Sequence, residues 1–266
     1  MPTANFFAAD LLKDAAVLIT GGGTGLGKAA AIALTRCGAR VVIASRRQEH
    51  LDQGAAEIGA QAGTPPLSMV CDIRQPEEVE ALVEFTADAL GRIDVLVNNA
   101  GGQFPQRAEL YSVKGWKAVI DTNLNGTWYM TQAVGKRMIA AGGGCIVNVI
   151  ANHHRGIPGS AHTSAARAAV ANLTKTLAVE WGSHGIRINA VAPGPIAASG
   201  FTQTYDPKVI ERARDLPLQR LGTAEEVAAA IVFLASPASA WTTGVTLDVN
   251  GGQHLAGNTW VVDPQT

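Results

Sequence analysis

The run TGGGTGLG (20–27) holds Gly21, Gly25 and Gly27 in the spacing G-x-x-x-G-x-G, with Thr24 and Leu26 between them. An apolar stretch precedes it and an alanine-rich one follows. Backbone N–H groups of a glycine-dense turn that opens a helix point at an anion, and the absent side chains let a pyrophosphate approach closely. Further along, ASRRQEH (44–50) puts Ser45, Arg46 and Arg47 where an acidic residue would hydrogen-bond an adenosine ribose 2′-hydroxyl. Guanidinium groups match phosphate oxygens bidentately, and a helix N-terminus disfavours cations that have no anion to meet. The pair of turns predicts a dinucleotide with a 2′-phosphate, NADP(H) rather than NAD(H).

A second group lies in ANHHRGIPGSAHTSAARAAVAN (151–172). Thr163 and Arg167 are four residues apart and share a helix face. A threonine hydroxyl donates one hydrogen bond but is no acid near neutrality. An arginine can hold ribose hydroxyls, yet with a pKa above ~12 it cannot relay protons. His153, His154 and His162 titrate near ~6.5 and are candidate proton donors, although a polar loop rim is an equally simple reading. No metal site is expected, because adjacent histidines point apart and no acidic or cysteine partner is near.

Seven short apolar runs, at 15–20, 40–45, 66–71, 94–99, 145–150, 187–192 and 245–250, read as strands buried on both faces. Helical patterns fill the gaps at 25–37, 47–61, 76–90, 112–141, 161–182 and 223–235. This alternation predicts an α/β fold, a parallel doubly wound sheet with helices on both faces. It continues without a linker, so residues 1–266 read as one dinucleotide-binding domain. The proline-bearing stretch 194–222 reads as a substrate lid. Ala165, Ala169, Leu173 and Leu177 read as a packing stripe suited to close helix approach and consistent with a subunit interface, and Trp116, Trp128 and Trp181 as core or interface residues.

Composition narrows the function classes. Lys+Arg of 21 against Asp+Glu of 22 leaves a net charge of −1, which offers no basic face for nucleic acid. Hydrophobic residues at 47% supply a core, with no apolar run long enough to span a membrane. Cys37, Cys71 and Cys145 are scattered, which suits a reducing interior. No signal peptide or C-terminal address is read, so a cytoplasmic location is expected.

TGGGTGLG, CDI (71–73), NNAG (98–101), TNLNG (122–126) and APGPI (192–196) occur in an order that resembles the short-chain dehydrogenase/reductase family over about residues 12–252. The resemblance implies a Rossmann-type sheet of seven parallel strands and a homotetramer. It implies that Asp72, flanked by Cys71 and Ile73, meets the adenine amino group, and that Asn98, Asn99, Ala100 and Gly101 lie beneath the cofactor. Asn123 would hold an ordered water, and Pro193, Gly194 and Ile196 would line the nicotinamide. Ala198 stands where the family often has threonine, with Ser199 a possible substitute. VVIASRRQEHL, NNAGGQF and SAARAAVANLTKTLAVEWGSHGIRINAVAPGPI are similar to the 2,4-dienoyl-CoA reductases and the peroxisomal trans-2-enoyl-CoA reductases.

On this alignment Arg167 takes the family's lysine position and Thr163 its tyrosine position, while the serine position near Ala151 holds no serine at Ile150 or Asn152 either. Asn123 remains. Ketone reduction makes an alkoxide that needs a proton at once. Enoyl thioester reduction makes an enolate that needs hydrogen-bond donors and takes its carbon proton from water. The expected activity is therefore NADPH-dependent reduction of a trans-2-enoyl-CoA or 2,4-dienoyl-CoA thioester, with Asn123, Thr163 and Arg167 as catalytic residues. A carbonyl or alcohol oxidoreductase and an NADP-binding pseudoenzyme are the alternatives. Arg212, Arg214 and Arg220 in the lid are candidates for CoA phosphates, with solvated helix faces the simpler reading.

Overall fold

The computed structural model describes residues 6–152, 154–198, 211 and 215–255. His153, Ser199, Arg212, Arg214 and most of the expected lid lie outside the described residues. β1 (Ala16–Thr20), β2 (Arg40–Ser45), β3 (Leu67–Val70), β4 (Val95–Asn98), β5 (Gly144–Val149), β6 (Ile186–Pro193) and β7 (Thr246–Val249) form one sheet in the order β3-β2-β1-β4-β5-β6-β7. Every neighbouring pair is parallel, as in Val17↔Val41 and Val97↔Val147. Strand order reverses between β1 and β4, and the carboxyl ends of strands flanking such a switch point make a ligand crevice.

The helices are α1 (Gly25–Arg36), α2 (Gln48–Ala62), α3 (Pro76–Leu90), α4 (Val113–Ile120), α5 (Gly126–Ala141), α6 (Ala161–Trp181) and α7 (Ala224–Ala235). They divide between the two faces. Val17, Ile19, Ile43 and Val97 pack with Leu34 of α1 and Ile231 of α7 on one side, while Leu18, Val42, Leu96 and Ile146 pack with Leu82 of α3, Met130 of α5 and Leu177 of α6 on the other. Consecutive residues of β1 thus serve opposite cores, which is why the central strands are continuously apolar rather than alternating. α7 begins with a capping box: Glu226 N–H donates to Thr223 Oγ1 at 3.2 Å, and Thr223 N–H donates to Glu226 Oε2 at 2.8 Å.

One helical expectation changes. The helix expected over 112–141 is broken by a π-helical turn, Asp121–Asn125, between α4 and α5. Apolar periodicity does not reveal such a turn, because the chain stays helical on both sides of it. On α6, Ala165 is exposed while Ala169 and Leu173 are half-buried. The face turned into the chain carries Thr163, Ala166, Arg167, Val170, Ala171 and Thr174 instead. Steps of four residues drift about 40° each around a helix with 3.6 residues per turn, so the stripe leaves the core at its N-terminal end. Among the described residues no helix is long and apolar enough to cross a membrane.

Candidate active site

At the carboxyl end of the sheet, β1 and β4 are locked to each other by Thr20. Its Oγ1 accepts from Asn99 N–H at 3.1 Å and Ala100 N–H at 3.0 Å, and Asn99 Nδ2 donates back to the carbonyls of Thr20 and Gly21 at 3.0 and 3.1 Å. The turn between β1 and α1 needs its glycines for two reasons. Gly21 has φ +66°, a left-handed conformation that side chains disfavour, and a Cβ on Gly27 would lie 2.3 Å from the Gly21 carbonyl oxygen. Gly27 therefore serves by closing helix to strand, with no place on a cavity wall.

The other predicted cofactor residues line two adjoining cavities. The larger, about 750 Å³, is bordered by Gly21, Thr24, Gly25, Leu26, Ser45, Arg46, Arg47, Cys71, Asp72, Ile73, Asn99, Ala100 and Gly101. The second, about 380 Å³, shares Gly25, Leu26, Asn99 and Gly101 with it and adds Asn123, Arg167, Pro193, Gly194 and Ile196. Their union has the shape of a dinucleotide crevice: a wide polar end at β2 and β3, a glycine waist, and an end closed by α6. The donors fit the group expected. Arg46 and Arg47 are exposed at the end of β2 and have no hydrogen bond or ion pair among the described residues, which leaves their guanidinium donors available to a phosphate.

Asp72 accepts from Arg74 Nε at 2.9 and 3.0 Å, pairs with its Nη2, and its own N–H donates to Glu78 Oε2 at 2.8 Å. The Arg74 hydrogen bond holds its carboxyl below the usual carboxylate range, with Arg46 adding a smaller pull. Burial pushes the neighbouring Cys71 thiol up to about 12, so it stays protonated. His50 and Gln53 on α2 and Lys28 on α1 also line the larger cavity and were not anticipated. The signal was present: Arg47, His50 and Gln53 recur every three residues on one helical face.

Asn123 sits on the π turn and is 1% exposed. Its amide closes on one residue, Oδ1 accepting from Gly102 N–H and Nδ2 donating to Gly102 O, both at 2.9 Å. Gly102 and Gln103 line the smaller cavity beside it. Beneath, a buried chain of amides and hydroxyls ties the strand ends to the helices. Asn98 Nδ2 donates to Thr131 Oγ1 at 2.8 Å and Asn148 Oδ1 at 2.9 Å, and Asn148 Nδ2 donates to Thr174 Oγ1 at 3.0 Å.

Arg167 reaches the cavity from α6 and is 8% exposed. A Cβ on Gly101 would lie 2.2 Å from Arg167 Nη2, so the guanidinium occupies space that glycine alone leaves open. Among the described residues it has no hydrogen bond and no ion pair. Burial draws its pKa down to about 10, so it remains charged at neutral pH.

Thr163 is 2% exposed and is not among the residues that line either cavity. Its N–H donates to His162 Nδ1 at 2.7 Å, and its Oγ1 lies 3.2 Å from the same nitrogen. A Nδ1 that accepts carries a lone pair, so the neutral ring bears its proton on Nε2. The His162 ring is fully buried between Phe104 and Tyr111, with centroids 4.7 and 4.5 Å away. Burial lowers its pKa, and the Phe104 backbone opposes the shift more weakly. His162 is thus a neutral packed group and no loop-rim acid. His154 belongs elsewhere too: its Nε2 lies 3.1 and 3.0 Å from the Asp248 carboxylate oxygens on β7. Arg220, expected as solvated or phosphate-binding, is engaged by Glu226, with Nη1 2.9 Å from Oε2. Ala151 lines the smaller cavity with Val149 and Ile150, so the serine position offers no hydroxyl.

The arrangement can hold a dinucleotide along the strand ends and steady negative charge at Arg167. Among the described residues it presents no side-chain acid on the wall of the smaller cavity. The family described as enoyl-(acyl carrier protein) reductase matches residues 21–254. The peroxisomal 2,4-dienoyl-CoA reductase of Danio rerio is 38% identical over 94% of this chain and 85% of its own length. The 3-oxoacyl-[acyl-carrier-protein] reductase of Synechocystis is 41% identical over 90% of this chain and 96% of its own. Among solved structures, a citronellol catabolism dehydrogenase of Pseudomonas aeruginosa PAO1 superposes with a TM-score of 0.84 at 40% identity, covering 94% of this chain and 98% of that one. The crevice, its glycine turn and these matches together make the chain a member of the short-chain dehydrogenase/reductase family of oxidoreductases.

Proposed function

We propose that the protein reduces the carbon–carbon double bond of a trans-2-enoyl-CoA or 2,4-dienoyl-CoA thioester with NADPH. The observation that carries this reading is the smaller cavity, whose described residues supply a buried cation and amide groups but no side-chain acid. A bound NADPH would supply a hydride to the far carbon of the conjugated system, the displaced electrons would pass to the thioester oxygen as an enolate, and a proton from water at Cα would complete the product, a saturated thioester from the enoyl substrate and a mono-unsaturated one from the dienoyl substrate, leaving NADP⁺. Enolate formation asks the protein for donors to oxygen, whereas an alkoxide asks for an acid. The site's chemistry matches the first demand.

Arg46 and Arg47 hold the 2′-phosphate in this reading, and Arg167 holds ribose hydroxyls. Asn123 fixes Gly102 and with it the cavity wall, and Thr163 acts through its contact with His162. The dienoyl-CoA reductase named above supports the substrate class. The assembly is read as a homotetramer, which light scattering on the purified protein tests.

A second reading has support of its own, because one relative is named as a 3-oxoacyl reductase. NADPH absorbance followed with a trans-2-enoyl-CoA, a 2,4-dienoyl-CoA and a 3-ketoacyl-CoA separates the two. Turnover of an enoyl or dienoyl thioester is expected. Turnover of the ketone alone would overturn the proposal, and tight NADPH binding without any turnover would favour a cofactor-binding pseudoenzyme.

A further inference from the structure

We infer that the guanidinium of Arg167 is the receptor for an anionic oxygen on the substrate, besides any hold it has on the cofactor ribose. Identifying that oxygen as a thioester enolate rests on the function proposed above. The inference begins from an imbalance. Arg167 is buried at the cavity wall and among the described residues has no hydrogen bond or ion pair. A desolvated cation without a partner is costly and persists where a ligand completes it. Ribose hydroxyls are neutral acceptors and compensate a full charge in part. An anionic oxygen compensates it fully, and most strongly where water is excluded.

The surrounding groups leave this task to Arg167. The Asn123 amide is closed on Gly102, with Gly102 N–H and O each 2.9 Å away. Thr163 and His162 face each other, with Oγ1 3.2 Å from Nδ1, away from the cavity lining. Among the described residues, no aspartate, glutamate, histidine, lysine, cysteine or tyrosine lines the smaller cavity, so none of them neutralises the guanidinium or competes with it for an anion. Arginine also suits a double duty. Its planar fork carries five N–H donors, enough to serve a ribose edge and a second acceptor at once, whereas a lysine ammonium is a compact point charge.

The test uses acetoacetyl-CoA, whose enolate absorbs in the ultraviolet, on the purified full-length protein with and without NADP⁺. Wild type is expected to bring out the enolate band at a pH at least one unit below that of free acetoacetyl-CoA, a tenfold or greater shift in ionisation. Arg167→Met should abolish the shift while acetoacetyl-CoA still binds, and Arg167→Lys should restore part of it. Melting curves establish that each variant is folded. An unchanged enolate titration in Arg167→Met, alongside weaker NADP⁺ binding, would confine Arg167 to the cofactor and overturn the inference. The outcomes also separate from the proposed function. A wild-type shift without reduction of enoyl or dienoyl thioesters removes the proposed reaction and leaves the anion receptor, whereas such reduction with no shift removes the receptor alone.

Discussion

The two ends of the crevice are built by different means. At the wide end beside β2 the work falls to a glycine turn, a helix N-terminus, and two exposed arginines that present their donors to solvent. At the α6 end it falls to a few buried side chains, and the central one carries a charge that nothing in the described protein neutralises. Exposed donors cost little when unoccupied because water satisfies them. A buried donor has no such relief, so its state before binding differs strongly from its state after. The contrast teaches that the donors of the wide end stay solvated, whereas the α6 end carries a desolvation cost at Arg167, which in the proposed reading an acceptor releases.

Substitution at Arg167 breaks the comparison most severely. Arg167→Met should lower kcat for an enoyl thioester by about 10²–10³-fold, the scale of losing a preorganised oxyanion donor. The same change should raise the apo melting temperature, because a packed apolar side chain removes the desolvation cost of an unpaired buried charge. Steady-state kinetics and calorimetry on one preparation read both, and a variant that loses activity and stability together would contradict the stored-cost account.

Arg46→Asp probes the other end. Charge-assisted hydrogen bonds contribute about 1.5–3 kcal/mol, so the NADPH dissociation constant should rise roughly 10–100-fold while that for NADH barely moves. Equal weakening of both cofactors would remove the 2′-phosphate assignment. Thr163→Val should have a smaller consequence, about fivefold in kcat from one neutral hydrogen bond, with NADPH affinity unchanged. Full activity would take Thr163 out of the mechanism.

The smallest effect concerns pH. The pKa of His162 is depressed by burial in the folded state, so the unfolded chain binds its proton more readily. Stability is therefore intact above the ordinary histidine value of about 6.5 and declines as pH falls below it. Protonation would also end acceptance by Nδ1 from Thr163 N–H. His162→Phe should flatten that acid-side fall in melting temperature between about pH 5 and 7, and an unchanged slope would assign the fall to other groups.

Much of the wide end was legible along the chain, because strand, glycine turn and helix N-terminus are contiguous and their geometry follows from spacing. Ser45, Arg46 and Arg47 needed only the end of β2 to be located. The α6 end was legible in residue type and not in role. Thr163 and Arg167 could be placed on one helix face, yet what each touches was set by Phe104, Gly101 and Tyr111, far away in sequence. The closing of Asn123 on Gly102 likewise depends on a π turn that leaves no periodic trace.

By itself, then, the sequence determined the order of strands and helices, the glycine turn before α1 and the arginines after β2, since these follow from local backbone geometry and residue chemistry, and the family resemblance added that Thr163 and Arg167 stand at its tyrosine and lysine positions. Only the tertiary structure decided that Arg167 is buried and unpaired, that His162 is neutral and packed, and that Thr163 faces it rather than the crevice. Burial and partnership belong to side chains brought together across the fold, and desolvation, which governs their charge, has no counterpart in an extended chain.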